Sequence, residues 1–286
     1  MNMSDWPKGP TEWIRDRRLF ISIPFTWNLK PVRERLIAGS LLWDRVTVGG
    51  PAVKLSRSRH FVEPFEWPEC VTVDTGDIEG VLERANPLAI RTSTGCPNRC
   101  GYCAVPTIEP TFSELPIDTV RPVICDNNFL ACSKTHRQAV YSLLEDGYFS
   151  EPIDFNQGLD ARLLTQWDAE WLRELRAKCR LAYDYPAEGD SVREAMAILR
   201  SEGVAKKSIF IYALIGWKDT PGEAVRRCEE ISSWGVYCCP MWFHELNAME
   251  WNLVTSEQEK LGWTKAKRRA IMGYFWQHRG SLDSLK

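Results

Sequence analysis

Short apolar runs alternate with helical patterns along the chain from residue 88 onward. The starts of six such runs lie roughly 30 residues apart, which is the length of one strand–helix unit in an α/β fold. The predicted strands are Leu88–Thr92, Pro122–Cys125, Ile153–Phe155, Leu181–Tyr183, Ile209–Ile215 and Val236–Met241. Six strands with helices between them predict a parallel, barrel-like α/β domain.

Apolar residues at helical spacing fill the intervals between these runs. The three clearest stripes are Leu164, Trp167, Trp171 and Leu175; Val192, Met196 and Leu199; and Ala224, Cys228, Ile231 and Trp234. This spacing places the members of each stripe on one helix face. We expect helices to start at Asp190-Ser191 and Asp219-Thr220-Pro221 and to end at Gly147, Gly203 and Gly235.

A smaller α/β region is predicted ahead of this core and a helical tail behind it. Leu19–Phe25 and Val46–Gly49 are strand candidates on either side of a helix candidate, Pro31–Ala38. The division expected is therefore residues 1–85, a core at 86–245 and a C-terminal helical extension at 246–286.

In the extension, Lys265–His278 is predicted to be one helix. Its expected buried face carries Ile271, Tyr274, Phe275 and His278. The helix starts with a basic run, Lys265–Arg269, which is either a solvated face or a phosphate contact.

Composition narrows the classes of function. The 286 residues carry 36 Lys and Arg against 38 Asp and Glu, a net charge of −2. That balance argues against a protein held on nucleic acid or an anionic membrane mainly by charge. The longest apolar runs reach about ten residues, half of what a membrane-spanning helix needs. Because Met1–Arg18 also lacks an apolar segment, we expect a cytoplasmic protein with no membrane partner.

The ten cysteines direct attention to metal chemistry, since thiols stay reduced in the cytosol. Three of them, Cys96, Cys100 and Cys103, form a CxxxCxxC motif in a Gly- and Pro-bearing loop after the first core strand. Three thiolates at this spacing can converge on one metal centre and leave a coordination position open. The alternative is a structural zinc site with a distant fourth ligand.

The segment Thr94–Cys103 resembles the cluster-binding loop of the radical S-adenosylmethionine (radical SAM) superfamily, including the aromatic Tyr102 before the last cysteine. The resemblance covers residues 88–245 and implies a partial (β/α)6 parallel barrel of the radical SAM type. It also implies a 4Fe–4S cluster on Cys96, Cys100 and Cys103, with S-adenosylmethionine bound at the open iron. The N-terminal layout is faintly similar to that of methylthiotransferases and cobalamin-dependent members, although no cobalamin-ligating DxHxxG motif occurs.

The resemblance also implies contacts to S-adenosylmethionine at the ends of the core strands. Here the second strand ends in Asp-Asn-Asn rather than the commoner Gly-Gly-Glu, and the fifth carries YxLxGxxD rather than GxIxGxxE. Arg162 is expected to pair with the methionyl carboxylate, Asp184 with the ribose hydroxyls and Tyr102 with the adenine region. The other residues expected at this cofactor are Asp126, Asn127, Asn128, Asn156, Gln157, Leu214 and Gly216.

Three residues are candidates for contact with the substrate. Cys125 and Cys239 lie at predicted strand ends facing the cavity, where a thiol can donate a hydrogen atom or form a thiyl radical; plain packing is the alternative. His244 follows the sixth strand and is either a substrate contact or a structural histidine.

The function expected is reductive cleavage of S-adenosylmethionine to a 5′-deoxyadenosyl radical that abstracts hydrogen from a substrate. A nucleobase or nucleotide is the favoured substrate, and a peptide or small metabolite is the alternative. A reducing protein such as flavodoxin or ferredoxin is the expected partner. Two alternatives remain open: a zinc-stabilised nucleic-acid-binding module without catalysis, and a non-catalytic scaffold that binds cluster and S-adenosylmethionine.

Overall fold

The computed structural model describes residues 6–39, 45–76, 78–277 and 282. These residues fall into two compact units. The first lies within Met1–Ala89, Asn98–Thr111 and His244–Trp251, and the second within Ile90–Pro97, Phe112–Phe243 and Asn252–Lys286. Compared with the expected division, the first unit takes in two additional short segments, and the rest of the tail belongs to the second unit.

The first unit is built on a four-stranded sheet in the order β1-β2-β3-β4. Its elements are β1 (Thr11–Arg15), β2 (Arg18–Ser22), α1 (Leu29–Ala38), β3 (Arg45–Gly49), α2 (Pro51–Ser56), β4 (Val71–Val73), α3 (Val81–Ala85) and, after the cysteine loop, α4 (Val105–Ile108). β1 pairs antiparallel with β2, whereas β2, β3 and β4 are parallel. Leu29, Val32 and Leu36 of α1 are buried in the core of this unit, which confirms the predicted strand–helix–strand layout.

Gly50 is the tightest point of the first unit. Its φ is 94°, and a Cβ there would lie 2.7 Å from Ser22 Oγ and 2.8 Å from the Ile23 nitrogen. Only glycine fits both the backbone conformation and the space. The next residue, Pro51, then starts α2 at a position where its missing N–H costs nothing.

The second unit alternates strands and helices in the predicted manner. Its elements are β5 (Ala89–Ile90), β6 (Ser93–Thr94), β7 (Ser113–Glu114), β8 (Val123–Ile124), α5 (Lys134–Asp146), β9 (Asp154–Phe155), α6 (Gln166–Glu174), β10 (Cys179–Ala182), α7 (Gly189–Ser201), β11 (Ile209–Ile215), α8 (Pro221–Ser233), β12 (Tyr237–Trp242), α9 (Ser256–Lys260) and α10 (Lys265–Gln277). All six predicted core strands are present, as β5, β8, β9, β10, β11 and β12.

These core strands form two three-stranded sheets, β5-β8-β9 and β10-β11-β12. β8 pairs parallel with β9, and β10, β11 and β12 are parallel. Isolated parallel bridges, Asp154 to Lys178 and Leu159 to Leu181, connect the two sheets. Within the described ranges no sheet closes into a barrel, so the expected partial barrel stays a prediction.

The burial pattern of β11 shows why the helices pack where they do. Ile209, Ile211, Ala213 and Ile215 are fully buried, while the residues between them are half-buried. The buried face packs against α8 and shares one core with buried residues of α6 and α7. The stripes predicted for α7 and α8 lie in this core, whereas α6 contributes Ala169 and Leu172 and leaves the predicted Trp167 and Trp171 half-buried. Thr220 caps α8 with Pro221 at its first position, as expected, whereas α7 begins at Gly189, one residue earlier than predicted.

The C-terminal segment is part of the core of the second unit. Trp263 is fully buried, packs edge-on against Trp242 at 5.0 Å and donates its indole N–H to the Asp219 carbonyl at 2.7 Å. Gln258 donates to the carbonyls of Gly216 and Phe243 at 3.0 and 3.3 Å. The tail therefore fixes the loops that follow β11 and β12.

The predicted face of α10 is right in part. Ile271 and Phe275 are buried, but Tyr274 is 41 % exposed, because it lies at the side of the buried helix face rather than within it. His278 lies outside the described residues. Arg268 is also buried, 5.8 Å from the ring of Trp242, so the basic run does not face solvent throughout.

None of the helices among the described residues has both the length and the apolar character needed to cross a membrane.

Among the polar groups on the helices of the second unit, the buried Asp168 carboxylate is expected to contribute most to stability. It accepts two hydrogen bonds from Arg137, at 2.5 and 2.6 Å, and caps α6 together with Thr165. Asp168→Ala leaves the Arg137 charge unpaired, so we expect a loss of about 3–5 kcal/mol in the free energy of unfolding. The measurement is urea denaturation.

Glu174→Ala is the matched control, because Glu174 lies on the same helix in an exposed ion pair with Arg173. We expect this control to change stability by no more than about 0.5 kcal/mol. Equal losses in the two variants would contradict the role assigned to Asp168.

Candidate functional site

The three cysteines of the CxxxCxxC loop are neither fully buried nor fully exposed. Gly95 opens the loop with a φ of 68°, and the Cys103 N–H donates to the Cys100 carbonyl at 3.1 Å. Across the described part of the chain, no three His, Cys, Asp or Glu side chains are gathered in a metal-binding arrangement, the motif cysteines included. By their chemistry, the three thiols suit an iron–sulfur centre.

Asp126 anchors the chain just before this loop. Its carboxylate accepts hydrogen bonds from the Thr92 and Ser93 N–H groups at 2.6 and 3.0 Å, and from the Thr92 hydroxyl. Burial raises the pKa of Asp126, although these hydrogen bonds oppose the shift. The geometry therefore gives Asp126 a structural task, and its expected contact with S-adenosylmethionine stays a prediction.

A continuous polar chain runs from Arg162 to Cys96. The Arg162 guanidinium donates two parallel hydrogen bonds to Asp160, at 2.8 and 2.7 Å. The Asn128 amide nitrogen donates to Asp160 at 3.1 Å and lies 3.7 Å from the Cys96 sulfur. Two predicted cofactor contacts are thus brought next to a predicted cluster ligand. We call Arg162, Asp160 and Asn128 the relay.

The Asn128 side chain is 3 % exposed, and its amide oxygen has no hydrogen-bond partner among the described residues. A buried oxygen without a hydrogen bond is costly, because its lost hydration is not replaced. The buried oxygens of Asn28, Thr47 and Ser93 also lack a partner among the described residues, so the Asn128 oxygen is distinguished by the contact of the same amide with Cys96. The unsatisfied oxygen is therefore consistent with a ligand that brings a hydrogen-bond donor, and no sequence pattern indicates it.

A second polar group lies where β10 and β11 end. Asp184 accepts a hydrogen bond from the Leu214 N–H at 3.1 Å, and its own N–H donates to Glu188 at 2.7 Å. The pKa of Glu188 is raised to about 7, chiefly by burial and also by the charge of Asp184, while the hydrogen bond from the Asp184 N–H and the charge of Arg162 oppose the shift. Sequence analysis did not single out Glu188, because this residue lies in the turn before α7 and belongs to no recognisable motif.

One face of the β9–β12 strands carries a buried ion pair. Arg180 donates to Asp154 at 2.7 and 2.6 Å and also to the Tyr212 hydroxyl. Tyr212 is in register with Cys239, so this thiol shares the face. Sequence reasoning missed the pair, although a charged residue within a buried strand is itself a signal, because such a residue requires a partner.

Both candidate thiols are buried. Burial raises the pKa of Cys125 to about 12, with further contributions from Asp126 and Asp154. Burial likewise raises the pKa of Cys239 to about 12. Both side chains therefore hold their protons at neutral pH, which is the state that a hydrogen-atom donor requires.

The remaining candidates are more scattered. Gly216 has a φ of 84°, and a Cβ there would lie 2.5 Å from the Trp242 ring. His244 belongs to the first unit, where its ring lies 4.8 Å from that of Trp27. Tyr102 is also in the first unit. Asn127 and Asn156 are half-buried at strand ends, and Gln157 is exposed.

No protein-family model, curated protein or solved structure matches this chain.

The raised pKa of Glu188 makes a testable contribution to stability. The folded protein holds this proton up to about pH 7, whereas the ordinary value for a glutamate is 4.5, so folding loses stability as pH rises between the two. We expect the stability lost between about pH 5 and about pH 8 to be smaller in Glu188→Gln than in the wild type. Urea denaturation at both pH values measures this difference.

Glu194→Gln is the control, since Glu194 is exposed on α7. It should keep the wild-type pH dependence. An unchanged pH dependence in Glu188→Gln would show that the Glu188 pKa is not raised.

Proposed function

We propose that this chain is a radical SAM enzyme that holds one 4Fe–4S cluster on Cys96, Cys100 and Cys103. The observation that carries the proposal is the position of Asn128, which contacts the Cys96 sulfur and has a buried amide oxygen without a partner among the described residues. That oxygen fits a ligand that brings an N–H donor close to the cysteine loop. The ammonium group of S-adenosylmethionine is a donor of this kind.

When bound, the cluster would pass one electron to S-adenosylmethionine, which breaks into methionine and a 5′-deoxyadenosyl radical that takes a hydrogen atom from the substrate. The electron comes from a reducing protein of the flavodoxin or ferredoxin class. We place this chemistry in the cytoplasm, where such donors operate.

The chain's own residues bind and orient the cofactor in this proposal. Asn128 accepts a hydrogen bond from the ammonium group, and Arg162 pairs with the carboxylate, because a guanidinium matches a carboxylate in geometry and charge. Asp184 accepts from the ribose hydroxyls. The other proposed contacts are Tyr102, Asp126, Asn127, Asn156, Gln157, Leu214 and Gly216.

The face that carries Arg180 and Cys239 also carries aromatic side chains, at the starts of β11 and β12. Phe210 and Tyr237 stack on this face at 4.7 Å, and Tyr237 is 45 % exposed. Aromatic side chains of this kind stack on nucleobases, which favours a nucleobase or nucleotide as substrate. Cys125 and Cys239 are the proposed hydrogen donors, and His244 remains a proposed substrate contact.

The cluster assignment is tested with Cys100→Ala. After anaerobic reconstitution with iron and sulfide, we expect the wild type to bind both and, with dithionite and S-adenosylmethionine, to release 5′-deoxyadenosine. Cys100→Ala should lose the cluster and this cleavage, because three thiolates are needed to hold it. Iron and sulfide analysis and chromatography of the nucleoside are the measurements.

Cys70→Ala is the matched control, since Cys70 is an exposed free cysteine outside the motif. It should behave as the wild type. Unchanged iron and sulfide in Cys100→Ala, or a colourless wild type that carries zinc, would overturn the proposal. A wild type with cluster and bound S-adenosylmethionine that cleaves none in any substrate mixture would favour the scaffold alternative.

The role of Arg162 is tested by binding. Arg162→Ala should weaken the affinity for S-adenosylmethionine by about 1.5–3 kcal/mol, the range for a hydrogen bond to a charged group. Equilibrium dialysis on the reconstituted protein measures the dissociation constant. The control is Arg193→Ala on α7, where a half-exposed arginine pairs with Asp190 and Glu230. Equal dissociation constants in Arg162→Ala and wild type would remove Arg162 from the site.

A further inference from the structure

We propose that Asn128 is a positioning residue whose N–H···S hydrogen bond to Cys96, held in place by the relay, raises the reduction potential of the cluster. This inference rests on the proposed function, since it concerns the cluster that Cys96 would hold. It assigns Asn128 an electronic role in addition to ligand binding.

The orientation of the Asn128 amide follows from its neighbour Asp160. An ionised carboxylate only accepts hydrogen bonds, so the amide atom 3.1 Å from Asp160 Oδ2 must be the nitrogen. The nitrogen carries two hydrogens, and the Cys96 sulfur lies 3.7 Å away, within the range for an N–H···S bond. A flipped amide would bring two oxygens together, which is unfavourable.

Asp160 is itself held in place. The parallel bonds from Arg162 lock the carboxylate plane, and the Arg162 N–H also donates to Asp160 at 3.2 Å. The charged, bidentate pair of Arg162 and Asp160 thus fixes the orientation of the neutral Asn128 amide. The amide in turn is held toward the Cys96 sulfur.

The backbone at Asn128 is equally restrained. The next residue, Phe129, is 1 % exposed and packs against Tyr141 and Phe155 with ring distances of 5.4 and 5.0 Å. On the other side, Asp126 is fixed to Thr92 and Ser93. The amide therefore has little freedom to turn away from Cys96.

The electronic effect follows from the direction of the bond. Reduction adds negative charge to the cluster and its ligating sulfurs, and a donor N–H stabilises that charge. Because Asn128 is buried, its hydrogen bond acts in surroundings of lower polarity than water, where such a bond is electrostatically stronger. Removal of this donor should make the cluster harder to reduce.

The test compares Asn128→Leu, which keeps the side-chain size and adds no charge, with Gln138→Leu, the same kind of change at an exposed position of α5. Both are reconstituted, and the midpoint potential is measured by redox titration followed by electron paramagnetic resonance. We expect a shift to more negative potential in Asn128→Leu alone, at full iron and sulfide content. An unchanged potential at full content would overturn the inference.

A second measurement needs no variant. In wild-type protein grown with asparagine labelled by nitrogen-15 in its amide, the reduced cluster should show a nitrogen-15 hyperfine coupling transmitted through the hydrogen bond. Its absence overturns the inference even where Asn128→Leu fails to fold. A wild type that takes up no iron or sulfide overturns the proposed function itself, whereas a cluster without the coupling overturns only the role of Asn128.

Discussion

The second unit depends on the ion pair between Asp154 and Arg180. β9 and β10 are joined by isolated β-bridges rather than by a continuous ladder. The Asp154–Arg180 pair adds two charged, buried hydrogen bonds between the sheet β5-β8-β9 and the sheet β10-β11-β12. Removing either partner leaves a buried charge without compensation, which costs far more than an exposed pair contributes. The relay lies with the first of these sheets, and Asp184 and Leu214 with the second. The pair therefore sets the spacing between the two halves of the candidate cofactor site.

Polar residues at strand ends have two kinds of task in this chain, and the structure separates them. Asp126 and Asp184 satisfy backbone N–H groups, which is the ordinary work of such residues. Asn128 differs because its oxygen is buried without a donor among the described residues while the nitrogen of the same amide lies 3.7 Å from the Cys96 sulfur. A polar group that the fold does not satisfy is better support for a ligand than a polar group that the fold uses.

Periodicity predicted the core of the second unit well. The seven-residue β11 was found at its full length, and the predicted stripes of α7 and α8 are buried, because burial on one face leaves a regular mark in the sequence. The stripe predicted for α6 was wrong in part: Trp167 and Trp171 are only half-buried, and the buried apolar residues of α6 are Ala169 and Leu172. The two-residue strands β6 and β7 were missed, since they are too short and too polar to leave one. The start of α7 was misplaced because Asp190 looks like a cap, whereas the helix begins at Gly189 without a side-chain cap.

Sequence analysis could propose a residue of the candidate site only where a local pattern in the sequence marks that residue. The three cysteines follow from their spacing, and Asn128 and Arg162 from their positions after strands. Asp160, which joins Asn128 to Arg162, becomes significant only through distances across the fold. The same holds for Glu188, whose pKa depends on burial and on Asp184.

The glycine after β11 has a consequence for how this chain can diverge. Gly216 leaves room for the Trp242 ring, Trp242 donates to the Leu253 carbonyl at 3.1 Å, and Gln258 returns to the Gly216 carbonyl. These contacts link the end of β11, Trp242 and the C-terminal segment to one another. A side chain added at residue 216 would displace the Trp242 ring, so a change at either position would disturb the loop after β11 and the C-terminal segment together.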